Sequence, residues 1–272
     1  LEKHIWYLKT ECEKANIDLF VTDDESSDNS IKILNANKIK YSININENGF
    51  ASNLNNGLKS VKEYNYDYIL VSNNDIDPFT MDLKKLDITI SKILNNNSDI
   101  GLVGFNEINQ GLVNLNYLSG FKEVNSIPGF FFCLTKKALL EVGYFDEEYY
   151  MYGEDNDYFY RTKLKGLKIV RTNISIFHSS EGSTKNKLKT AWLVYRNSGL
   201  FAVKNLNFIN SFKLFSSFIF IIYNPFYKNN HPSVIRIKRS GFFLNNIFLL
   251  GSVLWNLNRL IKNKLSNVKQ YY

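Results

Sequence analysis

The chain of 272 residues is 44% hydrophobic and 22% charged, which excludes a disordered composition and supplies a full core, enough for one catalytic-size domain plus an appendage. Its net charge of +7 conceals a division: residues 1–160 hold 14 Lys/Arg against 25 Asp/Glu, a balance of −11, and residues 161–272 hold 19 against the single acid Glu181, a balance of +18. The two cysteines, Cys12 and Cys133, lie in apolar contexts without metal-ligand spacing, so they read as reduced core thiols of a cytoplasmic protein rather than a disulfide.

Residues 1–15 read as a helix with Ile5, Leu8 and Cys12 at helical spacing, and the mixed charges of residues 1–20 do not form a secretory signal. "IDLFVTDD" (17–24) is a strand running into acids, followed by the turn "ESSDNS", a short helix and a second strand, "IKYSIN" (39–44). "GFASNLNNGLKSVKEY" carries Gly and Asn into a helix, and "YDYILVSNND" (66–75) is a third apolar strand ending in an acid. Strands alternating with helices predict a doubly wound α/β fold with a mostly parallel sheet. After "IGLVGFNE" the pattern loosens into a polar stretch over 106–128 that reads as a substrate loop, then resumes with the strand "GFFFCL" and a helix from Lys136 to Val142. The first region is thus a domain over 1–185, and 186–272 is a helical, basic extension.

Within that extension Ile247, Leu250, Leu254, Leu257 and Ile261 follow a 3,4 spacing, with Asn245, Ser252, Asn256 and Arg259 on the other side, so the segment is an amphipathic helix. The apolar runs "LFSSFIFIIY" (214–223) and "IFLLGSVLW" (247–255) are shorter than the ~20 residues that cross a bilayer, but suit a helix lying on one. A basic third with almost no acids is a footprint for an anionic surface, phospholipid or nucleic acid. The bland alternatives are solubility, and packing of the tail on the core or on a second subunit of a homo-oligomer. The reading adopted is peripheral docking on the inner face of the plasma membrane, with no nucleic acid as partner.

In open α/β sheets ligands bind beyond the carboxyl ends of strands, and here two strands deliver acids there: Asp23 and Asp24, and Asp75 and Asp77. Either pair alone could simply begin a turn. In "SNNDIDP" (72–78) an extended Asp-x-Asp would aim Asp75 and Asp77 the same way, which suits a hard divalent ion, Mg²⁺ or Mn²⁺, that keeps positions open for phosphate oxygens. Neither a P-loop nor a Gly-x-Gly-x-x-Gly follows a strand, so dinucleotide and P-loop chemistry lose support. His178, ending the apolar segment of "SIFHSSEGS", stands where an imidazole could join the metal, against the ordinary alternative of a structural histidine. "MYGEDNDYFYR" (151–161) gathers Glu154, Asp155 and Asp157 among aromatic rings at a helix start. Asp157 can pair with Arg161 four residues on, which leaves Glu154 or Asp155 as a general base; the alternative is capping with surface salt bridges.

In order and spacing these motifs resemble family 2 glycosyltransferases of the GT-A fold, specifically the rhamnosyltransferase-like and galactofuranosyltransferase-like branch, over roughly residues 5–200. "VTDDESSDNS" is similar to the family's nucleotide-holding strand end, implying nucleotide contacts at Asp23 and Asp24. "NGFASNLNNG" resembles its Gly-Phe-rich segment, matching at Gly49, Phe50, Asn55 and Gly57, with Asn55 as a nucleotide contact. "VSNNDI" stands where the family has its metal-binding Asp-x-Asp or Asn-x-Asp, implying Asn73 beside the nucleotide, Asp75 as metal ligand and Asp77 as a second ligand. The block from "PGFFFCL" to "FYRTKLKG" resembles the acceptor side, implying Asp155 as catalytic base with Glu154 and Gly129 touching the acceptor. "FHSSEGS" is similar to the segment whose His178 meets metal or diphosphate, and "VYRNSGLFAVKN" to the Tyr-Arg-Asn helix after it.

The resemblance implies inverting transfer of a sugar from a UDP- or dTDP-sugar, with Mn²⁺ or Mg²⁺, to a glycan or lipid-linked acceptor in cell-surface polysaccharide synthesis. The rivals are a nucleotidyltransferase, which should carry a basic phosphate loop early in the chain, and a non-catalytic glycan-binding module, which would leave the ordered acids without purpose. Family members open on a strand that this sequence lacks, which implies ten or more upstream residues in the natural chain and a vacant sheet position beside residues 18–23.

Overall fold

The computed structural model describes residues 2–45, 49–108, 120–179, 187–224 and 242–269, with side chains in the last segment described to Leu257. Part of the expected substrate loop (109–119), the end of the histidine segment (180–183) and the side chains of Arg259 and Ile261 lie outside the described residues. The chain divides into two compact units, one of Leu1–Tyr150 and Glu154–Gly182, the other of Met151–Gly153 and Ser183–Tyr272.

The first unit runs α1 (Glu2–Ala15), β1 (Phe20–Asp23), α2 (Ser30–Ala36), β2 (Lys40–Ile43), α3 (Phe50–Ser60), β3 (Tyr68–Ser72), α4 (Leu83–Asn95) and β4 (Ile100–Ile108). It continues through β5 (Phe121–Glu123), β6 (Phe131–Thr135), α5 (Lys136–Val142), α6 (Glu154–Leu164) and β7 (Lys168–Phe177). β1 and β2 pair in parallel, and a second sheet has the order β3-β6-β4-β7-β5. β3, β4 and β7 share one direction while β6, inserted between β3 and β4, and β5 at the edge run the other way. The α/β class is as expected, but the sheet is mixed rather than mostly parallel. Among the described residues β5 and β6 follow β4 with no helix between them, and a strand that returns without a crossover helix pairs antiparallel. Among the described residues β1 has β2, and β3 has β6, as hydrogen-bonded neighbour.

Helices cover both faces of the larger sheet, and β6 is accordingly buried at every position. Phe131 and Cys133 join Cys12 of α1 and Leu86 and Ile90 of α4 in one core cluster. Phe132 and Leu134, alternating with them, join Ala51 and Leu58 of α3, Ala138 of α5 and Tyr158 of α6 in the other. Both cysteines are buried free thiols. The capping Thr135 starts α5, its hydroxyl accepting from the Ala138 amide at 3.1 Å. α3 lies so close to β1 that a Cβ on Gly57 would fall 2.4 Å from Thr22 Cγ2.

The second unit holds α7 (Lys187–Asn205), α8 (Phe208–Tyr223) and α9 (Phe242–Lys269). Tyr195 of α7 packs against Phe218 of α8 and Phe248 of α9, with ring centroids 5.1 and 6.2 Å away. Among the described residues no helix is long and apolar enough to cross a membrane.

Candidate active site

The segment after β3 turns at Asn74 and Asp75 and is then pinned to the end of β7. The Asp77 amide donates to Phe177 O at 3.0 Å, the Ser179 amide to Asp75 O at 3.0 Å, and Ile76 bridges His178. This backbone splice sets His178 between two carboxylates, with Nε2 3.0 Å from Asp75 Oδ1 and Nδ1 2.7 Å from Glu107 Oε1. Burial of the ring opposes its positive charge, but the hydrogen bond to Glu107 and the field of Asp75 outweigh it and hold the imidazole above its ordinary pKa. Phe130, two residues into "GFFFCL", lies flat on the imidazole with centroids 4.5 Å apart.

Glu107 was not among the expected site residues. It stands at the end of β4, and a register shift between Gly104 and Asn106 precedes it. The Asn106 side chain fills that irregularity, its Nδ2 donating to Thr172 O at 2.9 Å, and such bulges re-aim the side chains that follow. The signal was an acid at the end of an apolar strand, the same signal that marked Asp75. Its partner lies 71 residues away, so only the pairing of β4 with β7 reveals the contact.

The second acidic group opens α6. Asp157 is buried and paired with Arg161, Nε donating to Oδ2 at 2.7 Å, as the four-residue spacing predicts. Arg161 also donates from Nη1 to Val142 O and from Nη2 to Tyr144 O, tying α6 to the end of α5. Glu154 is 5% exposed. Asp155 is half-buried, accepts from the Asn156 amide at 2.8 Å, and sets its Oδ2 only 2.8 Å from where a Cβ on Gly129 would stand. Glycine at 129 is therefore a requirement of close approach. The residues before α6 bend sharply: Tyr150 and Tyr152 have φ of 64° and 69°, left-handed backbone that bulky residues seldom adopt. Asn197 of α7 donates from Nδ2 to Met151 O at 2.8 Å and also to Tyr152 O.

The two acidic groups meet through consecutive contacts. Asp155 lies against Gly129, Phe130 follows Gly129 and stacks on His178, and His178 holds Asp75. The Asn73 amide donates to Phe130 O at 2.8 Å, so the segment after β3 is stitched to the same strand.

Other expected residues have different surroundings. Asp23 is buried and its Oδ1 accepts from the Ser26 amide at 2.7 Å, closing the turn. Asp24 is exposed and accepts from Asn44 Nδ2 at 2.8 Å and from the Gly49 amide at 3.1 Å. Asn55, expected to touch nucleotide, is corrected to a clamp. It is 1% exposed, its Nδ2 donates to Phe145 O and Glu147 Oε1, both at 2.8 Å, and its Oδ1 accepts from the Phe145 amide. Both of its N–H donors are spent on this clamp and the amide is enclosed by protein. Asp77, expected as a second metal ligand, caps the short turn Pro78–Thr80 by accepting from the Phe79 amide at 3.0 Å. The turn at Asp75 also breaks the extended geometry that would have aimed the two acids together, and Pro78 at the first turn position favours the cap.

Among the described residues no three His, Cys, Asp or Glu side chains close around one point. A partial set is present: the Asp75 carboxylate and the His178 imidazole lie together, and Asn73, two residues before Asp75, has a buried Oδ1 with no hydrogen-bond partner. This fits a hard divalent ion of the kind held by one or two protein groups and completed by substrate phosphates, with Glu107 orienting the imidazole from its far side. A pocket of about 290 Å³ is lined by Asn44, Ser52, Asn56, Lys59 and Glu147, and its Asn44 is the residue that donates to Asp24.

A family model described as glycosyl transferase family 2 matches residues 2–145. Among solved structures, the mannosyltransferase PcManGT from Pyrobaculum calidifontis, in complex with GDP-Man and Mn²⁺, aligns with TM-score 0.54 and 9% identity over 92% of this chain and 83% of its own. S. aureus TarS 1-349 aligns with TM-score 0.54 and 14% identity over 94% of this chain and 77% of its own. These likenesses are ones of fold. No curated protein matches the sequence.

Proposed function

The chain belongs to glycosyl transferase family 2, and we propose that it moves a hexosyl or deoxyhexosyl group, with inversion, from a nucleoside diphosphate sugar to a hydroxyl of a glycan or lipid-linked acceptor in cell-surface polysaccharide synthesis. The branch proposed is the rhamnosyltransferase-like and galactofuranosyltransferase-like one, on the order of the motifs quoted above, with UDP- or dTDP-sugar as donor. The observation that supports the reading is the run of contacts from Asp155 through Gly129 and Phe130 to His178 and Asp75, which links the carboxylate read as the base to the residues read as metal ligands.

Asp155 acts on the acceptor. Its carboxylate takes the hydroxyl proton as the acceptor oxygen bonds to the anomeric carbon, and on the opposite face the bond to the diphosphate oxygen breaks. The electron pair of that bond leaves with the nucleoside diphosphate. Glu154 and Gly129 shape the acceptor side, and the buried Asp157–Arg161 pair fixes the helix that aims the base. Asp75, His178 and Asn73 would hold Mn²⁺ or Mg²⁺, which supplies charge neutralisation for the departing diphosphate. The PcManGT structure, solved with GDP-Man and Mn²⁺, supports a nucleotide sugar and a divalent ion as the pair to test. Asp23 and Asp24, at the end of β1, are proposed to face the nucleotide while keeping their turn bonds.

The test is Asp155→Asn. Transfer should fall by about 10²–10⁴-fold, the size of a general-base contribution, while Mn²⁺-dependent thermal stabilisation by the donor persists. Asp75→Ala should instead abolish that stabilisation. Turnover retained by the Asp155 variant would refute the base assignment.

A further inference from the structure

We infer that the outer faces of α8 and α9 dock the second unit on an anionic phospholipid surface, entering the headgroup region of one leaflet without crossing it. The argument starts from an inversion. In a water-solvated helix bundle the apolar stripe is buried and the polar side faces out. In α9 the polar residues are inside: Ser252 is 0% exposed and Asn256 3%, with Asn245 buried beside them. Ser252 Oγ donates to Tyr195 O at 2.7 Å, and Asn256 Nδ2 donates to Ser252 O at 2.8 Å and to Arg196 O at 3.3 Å. Gly199 of α7 admits them, since a Cβ there would lie 2.3 Å from Asn256 Nδ2. Close helix approach over a small residue, joined by buried polar side chains, is how helices associate when the medium around them is apolar.

The stripe that packs against nothing in this unit is apolar. Phe243, Ile247, Leu250, Leu254 and Leu257 recur at helical spacing with exposures from 48% to 75%. α8 shows the same arrangement, with Phe218 turned inward and Ile209, Phe212, Phe220 and Tyr223 exposed. The two helices are joined where Tyr223 donates to Asn246 Oδ1 at 3.0 Å.

Charge chooses the occupant. Residues 183–272 contain 14 Lys/Arg and no Asp or Glu, and Lys213 stands exposed on α8 beside Phe212. The same face of a second copy would bring cations against cations, with no acid in that region to meet them, whereas an anionic leaflet attracts each Lys or Arg near its surface. Depth follows from length, because no described helix is long and apolar enough to span. Interfacial embedding of the apolar stripes remains.

This inference is independent of the transferase reading, and its test does not use turnover. The full chain is mixed with phosphatidylcholine vesicles, or with vesicles also containing phosphatidylglycerol, and floated on a density gradient. The wild type should float with the anionic vesicles, and its bound fraction should drop about tenfold or more on neutral vesicles or in high salt. Leu250→Asp and Leu254→Asp, both at exposed positions, should lower flotation by a similar factor with an unchanged far-UV spectrum. The salt series on the wild type decides the matter should either variant misfold. Absence of flotation on anionic vesicles overturns the inference, and so does a vesicle-free dimer that these substitutions dissociate while flotation is untouched.

Discussion

α4 and α9 are both amphipathic helices, and they point their stripes in opposite directions. In α4 the residues Leu83, Leu86, Ile90 and Ile93 are buried, and Lys84, Lys85 and Lys92 are exposed. In α9 the buried residues are Asn245, Ser252 and Asn256, and the leucines are outside. Periodicity alone is identical in kind in the two helices, so it reports that a helix has two faces without saying which one meets protein. What differs is the medium each was built against: water over α4, and by the inference above a lipid interface over α9.

Three substitutions would break or sharpen this contrast. The largest effect is expected from Ile90→Ala, where deletion of a wholly buried side chain in the α4 core should cost about 2–5 kcal/mol in denaturant unfolding. Ser252→Ala should cost about 1 kcal/mol, because the Tyr195 carbonyl loses its donor inside the second unit. Leu254→Ala should change unfolding in vesicle-free buffer by no more than about 0.5 kcal/mol, although it removes as many carbons as a core truncation. A loss at Leu254 equal to that at Ile90 would show α9 to be buried in the native protein and end the contrast.

Much of the first unit could be read from residue order. The helix from Lys136 to Val142 has the expected ends, and the pairing of Asp157 with Arg161 follows from their spacing on α6. The direction of β6 could not be read, because an apolar run carries no mark of parallel or antiparallel pairing. Asn55 and Asp77 show a second kind of loss. Motif position located both residues, but burial turned one into a clamp for the segment at Phe145, and the following proline turned the other into a cap. Glu107 shows a third: its role depends on a contact with His178 that exists only after two distant strands pair. As far as Leu257 the spacing also separates the faces of α9 as the structure does, while the close packing of its polar face needed Gly199, which lies in another helix.

The bend at Tyr150 and Tyr152 has a consequence for how this protein would respond to improvement. Each left-handed tyrosine holds a conformation costing on the order of 1–3 kcal/mol that glycine would adopt freely. A campaign selecting only for heat resistance should therefore be drawn to these two positions early. It would gain robustness by slackening the backbone three and five residues upstream of the carboxylate proposed to take the acceptor's proton, so the hardiest variants should also be among the slowest.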